Sequence, residues 1–160
     1  MTKITLLTVG KLKEDFYRRA AAEYQKRLSR YCRLEIIEVA DEKTPDGAGA
    51  AEEEAVRRKE GERLKKYIRD GAYVVTLEIE GKMLDSEEFA RRLDRLAVHG
   101  KSHLIFIIGG SLGLSDEICR KSDFALSFSR MTFPHQLMRV ILLEQIYRGY
   151  RILSGEPYHK

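Results

Sequence analysis

Several residue types and patterns are scarce in this sequence, and each scarcity argues against a class of protein. Tryptophan is absent, and the only two cysteines, Cys32 and Cys119, lie far apart and match no metal-ligand spacing. We therefore expect neither a disulfide-stabilised secreted domain nor a bound metal. No apolar run approaches the length of a membrane span, and the amino-terminal run is too short for a secretory signal. These absences predict a cytoplasmic protein with no membrane contact.

The residues that are present describe a soluble globular chain. Hydrophobic residues make up 43% of the 160 positions and charged residues 34%, which is typical of a folded protein and not of a disordered one. The length suits a single domain spanning 1–160. The net charge of +4 is a mild basic excess, which is compatible with a polyanionic partner but also common in proteins that have none.

Hydrophobic periodicity predicts alternating strands and helices. Predicted strands cover residues 4–9, 34–39, 73–79, 104–108 and 124–128. Predicted helices cover residues 15–31, 52–70, 86–99 with Ser86 as N-cap, 115–121 with Ser115 as N-cap, and 136–153. Residues 41–51 are rich in turn formers and predict a mobile loop. Because several strands are apolar on both faces, we expect an α/β fold with a mostly parallel sheet and helices on both faces.

Three loops are candidates for binding a ligand, because open parallel sheets bind ligands at the carboxyl ends of their strands. They are residues 80–82, which predict a turn, the glycine-rich 109–113, and 127–134. Glycines in the second loop let a ligand approach the backbone closely, although they are about equally typical of a simple tight turn. The loop matches neither a phosphate-binding Walker A motif nor GxGxxG.

The same glycine loop does match GxSxG, with Ser111 at its centre. A strand–turn–helix context of this kind is typical of the nucleophile of α/β-hydrolases, and Asp123 and His135 follow in the chain order of a triad. Short motifs of glycine and serine arise easily by chance, and no second glycine-rich loop is available to complete an oxyanion hole. A serine hydrolase is therefore the less favoured alternative.

The last predicted helix has an apolar arc wider than half of its circumference. Such an arc predicts burial on two sides, against the sheet and against a second subunit, although the central helix of a monomer would show the same pattern. Arg139 falls inside this arc and must meet an anion, either a carboxylate or a phosphate of a substrate. Glu144 and Arg148 form an i,i+4 pair on the polar side, where Arg151 also lies.

Longer stretches resemble a known protein family. They are ITLLTVGKLK, VTLEIEGK, LDSEEFA, FIIGGSLGLS, LSFSRMTFPHQLMRVILLEQIYRGYRI and SGEPYHK. The chain resembles the RlmH family of SPOUT methyltransferases from end to end. The resemblance implies a carboxyl-terminal trefoil knot, a homodimer, and methylation of N3 of a pseudouridine in 23S ribosomal RNA on the assembled ribosome. It implies S-adenosylmethionine as donor, held by Leu77, Gly109, Gly110, Phe128, Ser129, Arg130, Met131, Thr132 and Phe133.

The acceptor is the chemical obstacle in such a reaction, because an imide nitrogen is mostly protonated at neutral pH. The enzyme must align the displacement and assist loss of that proton. We expect Tyr158 and His159 of the tail, and then His135, to contact the base, with Arg139 also at the site. Arg139, Arg148 and Arg151 would hold phosphates or a carboxylate across the dimer. A catalytically silent RNA-binding module is the alternative from another class.

Overall fold

The computed structural model describes residues 1–160 and contains five strands and five helices. The strands are β1 (Lys3–Val9), β2 (Arg33–Val39), β3 (Tyr73–Met83), β4 (His103–Ile108) and β5 (Phe124–Ser127). The helices are α1 (Asp15–Leu28), α2 (Ala50–Lys65), α3 (Ser86–Val98), α4 (Asp116–Arg120) and α5 (His135–Leu153). Each helix connects two strands or follows the last one, as the alternating periodicity predicts.

All five strands pair in parallel, in the order β2-β1-β4-β3-β5. Central strands of a parallel sheet are buried on both faces, which is why β1 and β4 read as continuous apolar runs. In β4, residues 104–108 are all buried. Because β1 and β4 lie at the centre, the loops that follow them meet at the same carboxyl edge.

Two apolar clusters cover the two faces of the sheet. The larger cluster joins the sheet to α1, α3 and α5, with Leu28, Phe89 and Leu142 among its members. The smaller cluster joins the opposite face to α2 and α4 through Leu64 and Ile118. The predicted α/β class, with a parallel sheet and helices on both faces, is confirmed.

Helix α5 lies between α1 and α3, which accounts for much of its wide apolar arc within one chain. Its buried residues are Arg139, Leu142, Leu143, Ile146, Tyr147 and Gly149. Gly149 allows close packing on α3, because a Cβ at this position would lie 3.0 Å from Leu93 Cδ1. The wide arc alone therefore does not require a second subunit.

Several predicted boundaries were wrong for local reasons. Residues 80–82 are not a turn, because β3 continues through them to Met83. The N-cap of α3 is Asp85 and not Ser86, since the Asp85 carboxylate accepts the amide hydrogen of Glu88 and Glu88 accepts that of Asp85. Helix α2 begins inside the predicted mobile loop, at Ala50. Ser115 is the N-cap of α4, as predicted.

Candidate functional site

A cavity of about 490 Å³ opens at the carboxyl edge of the sheet. Three chain segments form most of it: residues 77–79 within β3, and the segments that follow β4 and β5. The predicted loops after β4 and β5 are among them, whereas residues 80–82 do not line the cavity. The lining residues are Leu77, Glu78, Ile79, Ile108, Gly109, Gly110, Ser111, Gly113, Leu126, Phe128, Ser129, Met131, Thr132, Phe133, Pro134, His135 and Met138. Apolar side chains and glycine backbone dominate this wall, which is typical of a pocket for a small organic ligand.

A bulge in β3 supplies one side of the cavity. Leu126 is in register with both Leu77 and Lys82, so residues 78–81 leave the regular ladder. Gly81 makes this possible, because a Cβ there would lie 2.7 Å from the carbonyl oxygen of Ala125. The bulge carries Glu78 to the cavity wall, where Thr76 Oγ1 donates to its carboxylate over 2.6 Å.

The glycine loop supplies the floor. Gly110 and Gly113 form an isolated bridge, with the amide of Gly113 donating to the carbonyl of Gly110 over 3.0 Å. A Cβ on Gly109 would lie 2.7 Å from the carbonyl carbon of Gly113, and Gly113 itself has φ +83°. The loop is therefore a tight turn that only glycine can make, and it also presents Gly109 and Gly110 to the cavity.

Glu60 of α2 supports the glycine loop from the side of the smaller core cluster. It is 4% exposed, and a Cβ on Gly110 would lie 3.2 Å from each of its carboxylate oxygens. One of these oxygens accepts the amide hydrogen of Glu42, while Oε1 has no hydrogen-bond partner. Burial raises the pKa of Glu60 above its ordinary value, as expected for a carboxyl group removed from water.

The segment 128–134 forms the remaining wall. Its bend is held by two short-range hydrogen bonds: Ser127 Oγ donates to the carbonyl of Ser129, and the amide of Met131 donates to Ser129 Oγ over 2.9 Å. All predicted donor-site residues line the cavity except Arg130, whose side chain is exposed and does not contribute to the wall. Lining residues that the sequence analysis did not name as site residues are Glu78, Ile79, Ile108, Leu126 and Met138. For Ile108 and Leu126 the available signal was their position at the carboxyl ends of strands.

The structure separates Asp123 from Ser111 and His135, the other two residues of the alternative hydrolase triad, which both line the cavity. Ser111 lies at the carboxyl edge of the sheet, in the cavity wall. Asp123 lies at the opposite, amino edge, where its carboxylate accepts the amide hydrogen of Val74 over 2.8 Å. The triad therefore cannot form, and the GxSxG match reflects only the glycine turn.

His135 stands at the start of α5 and faces the cavity. Burial, followed by the nearby positive charge of Arg139, lowers its pKa below the ordinary value of 6.5. The imidazole is therefore neutral at pH 7 and has one nitrogen free to accept a proton or a hydrogen bond. Its Nε2 would lie 3.8 Å from a Cβ on Gly10, which places it beside the end of β1.

The structure identifies the anion that Arg139 meets. Its guanidinium, 2% exposed, pairs through Nη1 with the carboxylate of Glu38 and donates through Nη2 to the carbonyl of Gly10 over 3.0 Å. The partner is a carboxylate of the same chain and not a phosphate. Arg139 therefore ties α5 to the ends of β1 and β2, and its Nε is left without a partner.

The tail is docked on α5 and is not free. Tyr158 packs edge-on against Tyr147 with ring centroids 4.9 Å apart, and its hydroxyl donates to Glu144 over 2.7 Å. Arg148 holds Glu144 over 2.7 Å and lies 3.1 Å from Nδ1 of His159. None of the tail residues lines the cavity of the same chain.

The other predicted phosphate contact, Arg151, is also satisfied within the chain. It pairs with Glu156 over 2.7 Å and donates to the carbonyl of Pro157 over 3.1 Å. Tyr31 completes the group by donating to Glu156 over 2.6 Å. Arg148 and Arg151 thus fasten the tail. The predicted i,i+4 pair of Glu144 and Arg148 is present, whereas the partner of Arg151 is a carboxylate of its own chain.

No cluster of three or more metal-binding side chains occurs in the structure. His99 and His103 are four residues apart, a spacing that metal sites use, yet their rings contact Arg95 and Thr5 respectively. None of the five helices is both long and apolar enough to span a bilayer.

Comparisons with known proteins give a consistent result. The family model described as predicted SPOUT methyltransferase matches residues 2–159. The chain is 59% identical over 157 residues to ribosomal RNA large subunit methyltransferase H of Clostridium kluyveri, covering 98% of this chain and 99% of that protein. It is 62% identical over 158 residues to the protein of the same name from Bifidobacterium adolescentis, covering 99% of each. A solved probable methylase family protein from Haemophilus influenzae shares the fold, with a TM-score of 0.53 at 13% identity over 99% of this chain and 70% of that one.

Proposed function

Because this chain belongs to the SPOUT methyltransferase family, we propose that it transfers a methyl group from S-adenosylmethionine to large-subunit ribosomal RNA. The observation that carries the proposal is the cavity at the carboxyl edge of the sheet, which eight of the nine predicted donor-site residues line. Relatives at about 60% identity over almost the whole chain bear the name of ribosomal RNA large subunit methyltransferase H.

The chemistry of the cavity wall fits this donor. Apolar side chains such as Leu77, Leu126 and Met138 suit a purine ring, while the exposed backbone around Gly109 and Gly110 offers amide and carbonyl groups to the sugar and to the amino acid portion. The carboxylate of Glu78 supplies a negative charge to a ligand that carries a positive sulfonium. Bound there, the donor supplies an activated methyl group.

The protein must then orient the acceptor and take up its proton. His135, neutral at pH 7 because burial lowers its pKa, is placed at the cavity wall to accept a hydrogen bond or a proton from the acceptor. The glycine loop and the segment 128–134 enclose the donor and exclude water from one side of the reacting methyl group. Arg139 acts as a positioning residue by fixing α5, which carries His135.

The tail contributes to the acceptor side in this proposal. Tyr158 offers an aromatic face on which a base can stack, and His159 offers a second titratable ring. Because the tail docks on α5 away from its own cavity, we infer that it serves the cavity of a second subunit. Leu137, Ile141 and Ile152 on the outer side of α5 stay only half-buried in the single chain, which supports a homodimer through this helix.

Finer features of the proposal follow from the family resemblance. They are N3 of a pseudouridine as the acceptor atom, the assembled ribosome as substrate, a cytoplasmic location, and a trefoil knot formed as the segment after β5 leads into α5. A catalytically silent RNA-binding module would have no use for a donor cavity of this size, so the methyltransferase is favoured over it.

Methyl transfer to ribosomes tests the proposed function. Ribosomes purified from a strain that lacks this protein are incubated with the protein and with S-adenosylmethionine labelled in its methyl group. We expect label in large-subunit RNA with the wild type and with Gly49→Ala, whose new methyl group meets nothing within 4 Å. Binding of the donor without any transfer to ribosomal RNA would contradict the proposal.

A further inference from the structure

A second cavity, also of about 490 Å³, lies on the other side of the β1–α1 loop. It is formed by that loop, α1, β2 and α5, and its charged lining residues are Lys11, Arg18, Glu38 and Arg139. Glu38 pairs with Arg139, and Asp15 lies 3.6 Å from Arg18, so Lys11 is the cation of this cavity that has no ion-pair partner. Lys11 and Leu12 follow β1, and Glu38 lies at the end of β2, so this cavity reaches the same carboxyl edge of the sheet as the donor cavity.

The β1–α1 loop and the first turn of α5 lie between the two cavities. The backbone amide of Lys13 donates to the side chain of Gln136 over 3.0 Å, which fastens the β1–α1 loop to the first turn of α5. On that helix, His135 and Met138 face the donor cavity while Arg139, the next residue, faces the second one. The two cavities therefore lie on either side of the first turn of α5.

The polar groups of this cavity are mainly donors. Lys11 is exposed and makes no ion pair within 4.0 Å, so its ammonium is free to bind an anion. Arg18 donates through Nη1 to the carbonyls of Leu12 and Lys13, and its Nη2 lies 3.6 Å from Asp15, so the loop and α1 hold its guanidinium at the cavity wall. Arg139 is 2% exposed, and its Nε is a buried donor that has no partner in the chain.

From this arrangement we propose that the second cavity binds a backbone phosphate of the acceptor RNA next to the nucleotide that is methylated. A phosphodiester is the anion that an RNA offers beside every base, and lysine and arginine donors are its usual partners. The proposal rests on the proposed function for the identity of the polymer. It adds a contact that positions the acceptor strand, separate from the residues that hold the donor.

Salt-dependent binding of large ribosomal subunits, purified from a strain lacking the protein, tests this site. Each phosphate neutralised by the protein contributes about 0.7–0.9 to the slope of log affinity against log salt concentration. We expect Lys11→Gln to make the slope shallower by about that amount and to weaken binding about fivefold at low salt. The matched control is Lys101→Gln, which removes an exposed lysine at the amino edge of the sheet.

Two further readouts separate the possible results. Affinity for S-adenosylmethionine should be the same for Lys11→Gln and the wild type, since Lys11 does not line the donor cavity. The wild type could transfer no methyl group while Lys11→Gln still makes the slope of log affinity against log salt concentration shallower. In that case the proposed function fails and the phosphate site stands. An unchanged slope with Lys11→Gln and with Arg18→Gln would overturn the site. A change in the oligomeric mass of the free protein, measured by sedimentation of Lys11→Gln, would also overturn the site. The group bound in the cavity would then be an acidic side chain of a second copy of the chain.

Discussion

Arg139 and Glu38 form an ion pair whose two members differ sharply in exposure. The side chain of Arg139 is 2% exposed and that of Glu38 is 33% exposed. Removing a partner from a buried pair costs most when the charge left behind cannot reach water. The two substitutions at this pair should therefore have unequal effects on stability.

We expect Glu38→Ala to lower the free energy of unfolding by about 3–5 kcal/mol, because it leaves the buried guanidinium without a counter-charge. Arg139→Leu should cost less, about 1–2 kcal/mol, since the remaining carboxylate regains water. Urea denaturation measures both. Glu35→Ala on the same strand, where Glu35 is 49% exposed and 3.7 Å from Lys3, is the control and should cost less than about 1 kcal/mol. A larger loss with Arg139→Leu than with Glu38→Ala would contradict this account.

The glycine loop gives a prediction about donor binding. Gly109→Ala places a methyl group 2.7 Å from the backbone of Gly113, which cannot move without opening the turn. We expect donor affinity to fall about tenfold or more, which corresponds to ~1.4 kcal/mol. Calorimetric titration with S-adenosylmethionine measures this, with Gly49→Ala as the neutral control. If folded Gly109→Ala protein binds S-adenosylmethionine as tightly as the wild type does, the glycine loop is not part of the donor site.

Glu60 gives a prediction about pH. Burial raises its pKa above the ordinary value of 4.5, so the folded state holds this proton more tightly than the unfolded state does. Its contribution to stability is therefore lost as the pH rises from about 4.5 through the raised value. Glu60→Gln, which stays neutral, should gain stability relative to the wild type between pH 4 and pH 7. The comparison is made by denaturation at each pH, and a difference that is constant across this range would count against the assignment.

The tail gives a prediction about the acceptor. Deletion of residues 158–160 should abolish methyl transfer and leave donor affinity nearly unchanged, because these residues do not line the donor cavity of their own chain. Tyr158→Phe is the milder variant, since it keeps the ring against Tyr147 and loses only the hydrogen bond to Glu144. Activity assays on ribosomes measure methyl transfer, and calorimetry measures donor affinity.

A mixing experiment shows which subunit the tail serves. Subunits lacking the tail, combined with Gly109→Ala subunits, should recover part of the activity if each active site takes its donor pocket from one chain and its tail from the other. Full activity of the deletion protein by itself would end the hypothesis, and loss of donor binding would assign the tail to the donor pocket.

Sequence periodicity was sufficient for the fold class but not for every boundary. The apolar runs of β1 and β4 and the turn signals after them predicted a parallel sheet, since such strands are buried on both faces. The extension of β3 through residues 80–82 could not be predicted, because Glu-Gly-Lys is typical of a turn and the strand continues only through a bulge that needs β5 beside it. The N-cap of α3 was predicted at Ser86 and is Asp85, because both residue types are good caps and the sequence does not distinguish them.

The candidate site was predictable in part for similar reasons. Family motifs located the glycine loop and the segment 128–134, while Glu78 reaches the cavity only because of the β3 bulge. The partner of Arg139 was left open because a burial argument requires an anion but does not identify it, and Glu38 is 101 residues away in sequence. Tertiary contacts of this range are beyond local patterning.

The most direct test of the central claim is the location of the transferred methyl group. Large-subunit RNA from deletion-strain ribosomes, treated with the protein and labelled S-adenosylmethionine, is digested to nucleosides and analysed by mass spectrometry. We predict that the label appears in a single methylated nucleoside of large-subunit RNA, N3-methylpseudouridine, and that Gly109→Ala protein produces less of it at the same subsaturating donor concentration. Absence of label from large-subunit RNA, in a reaction where the protein is shown to bind the donor, would contradict the account.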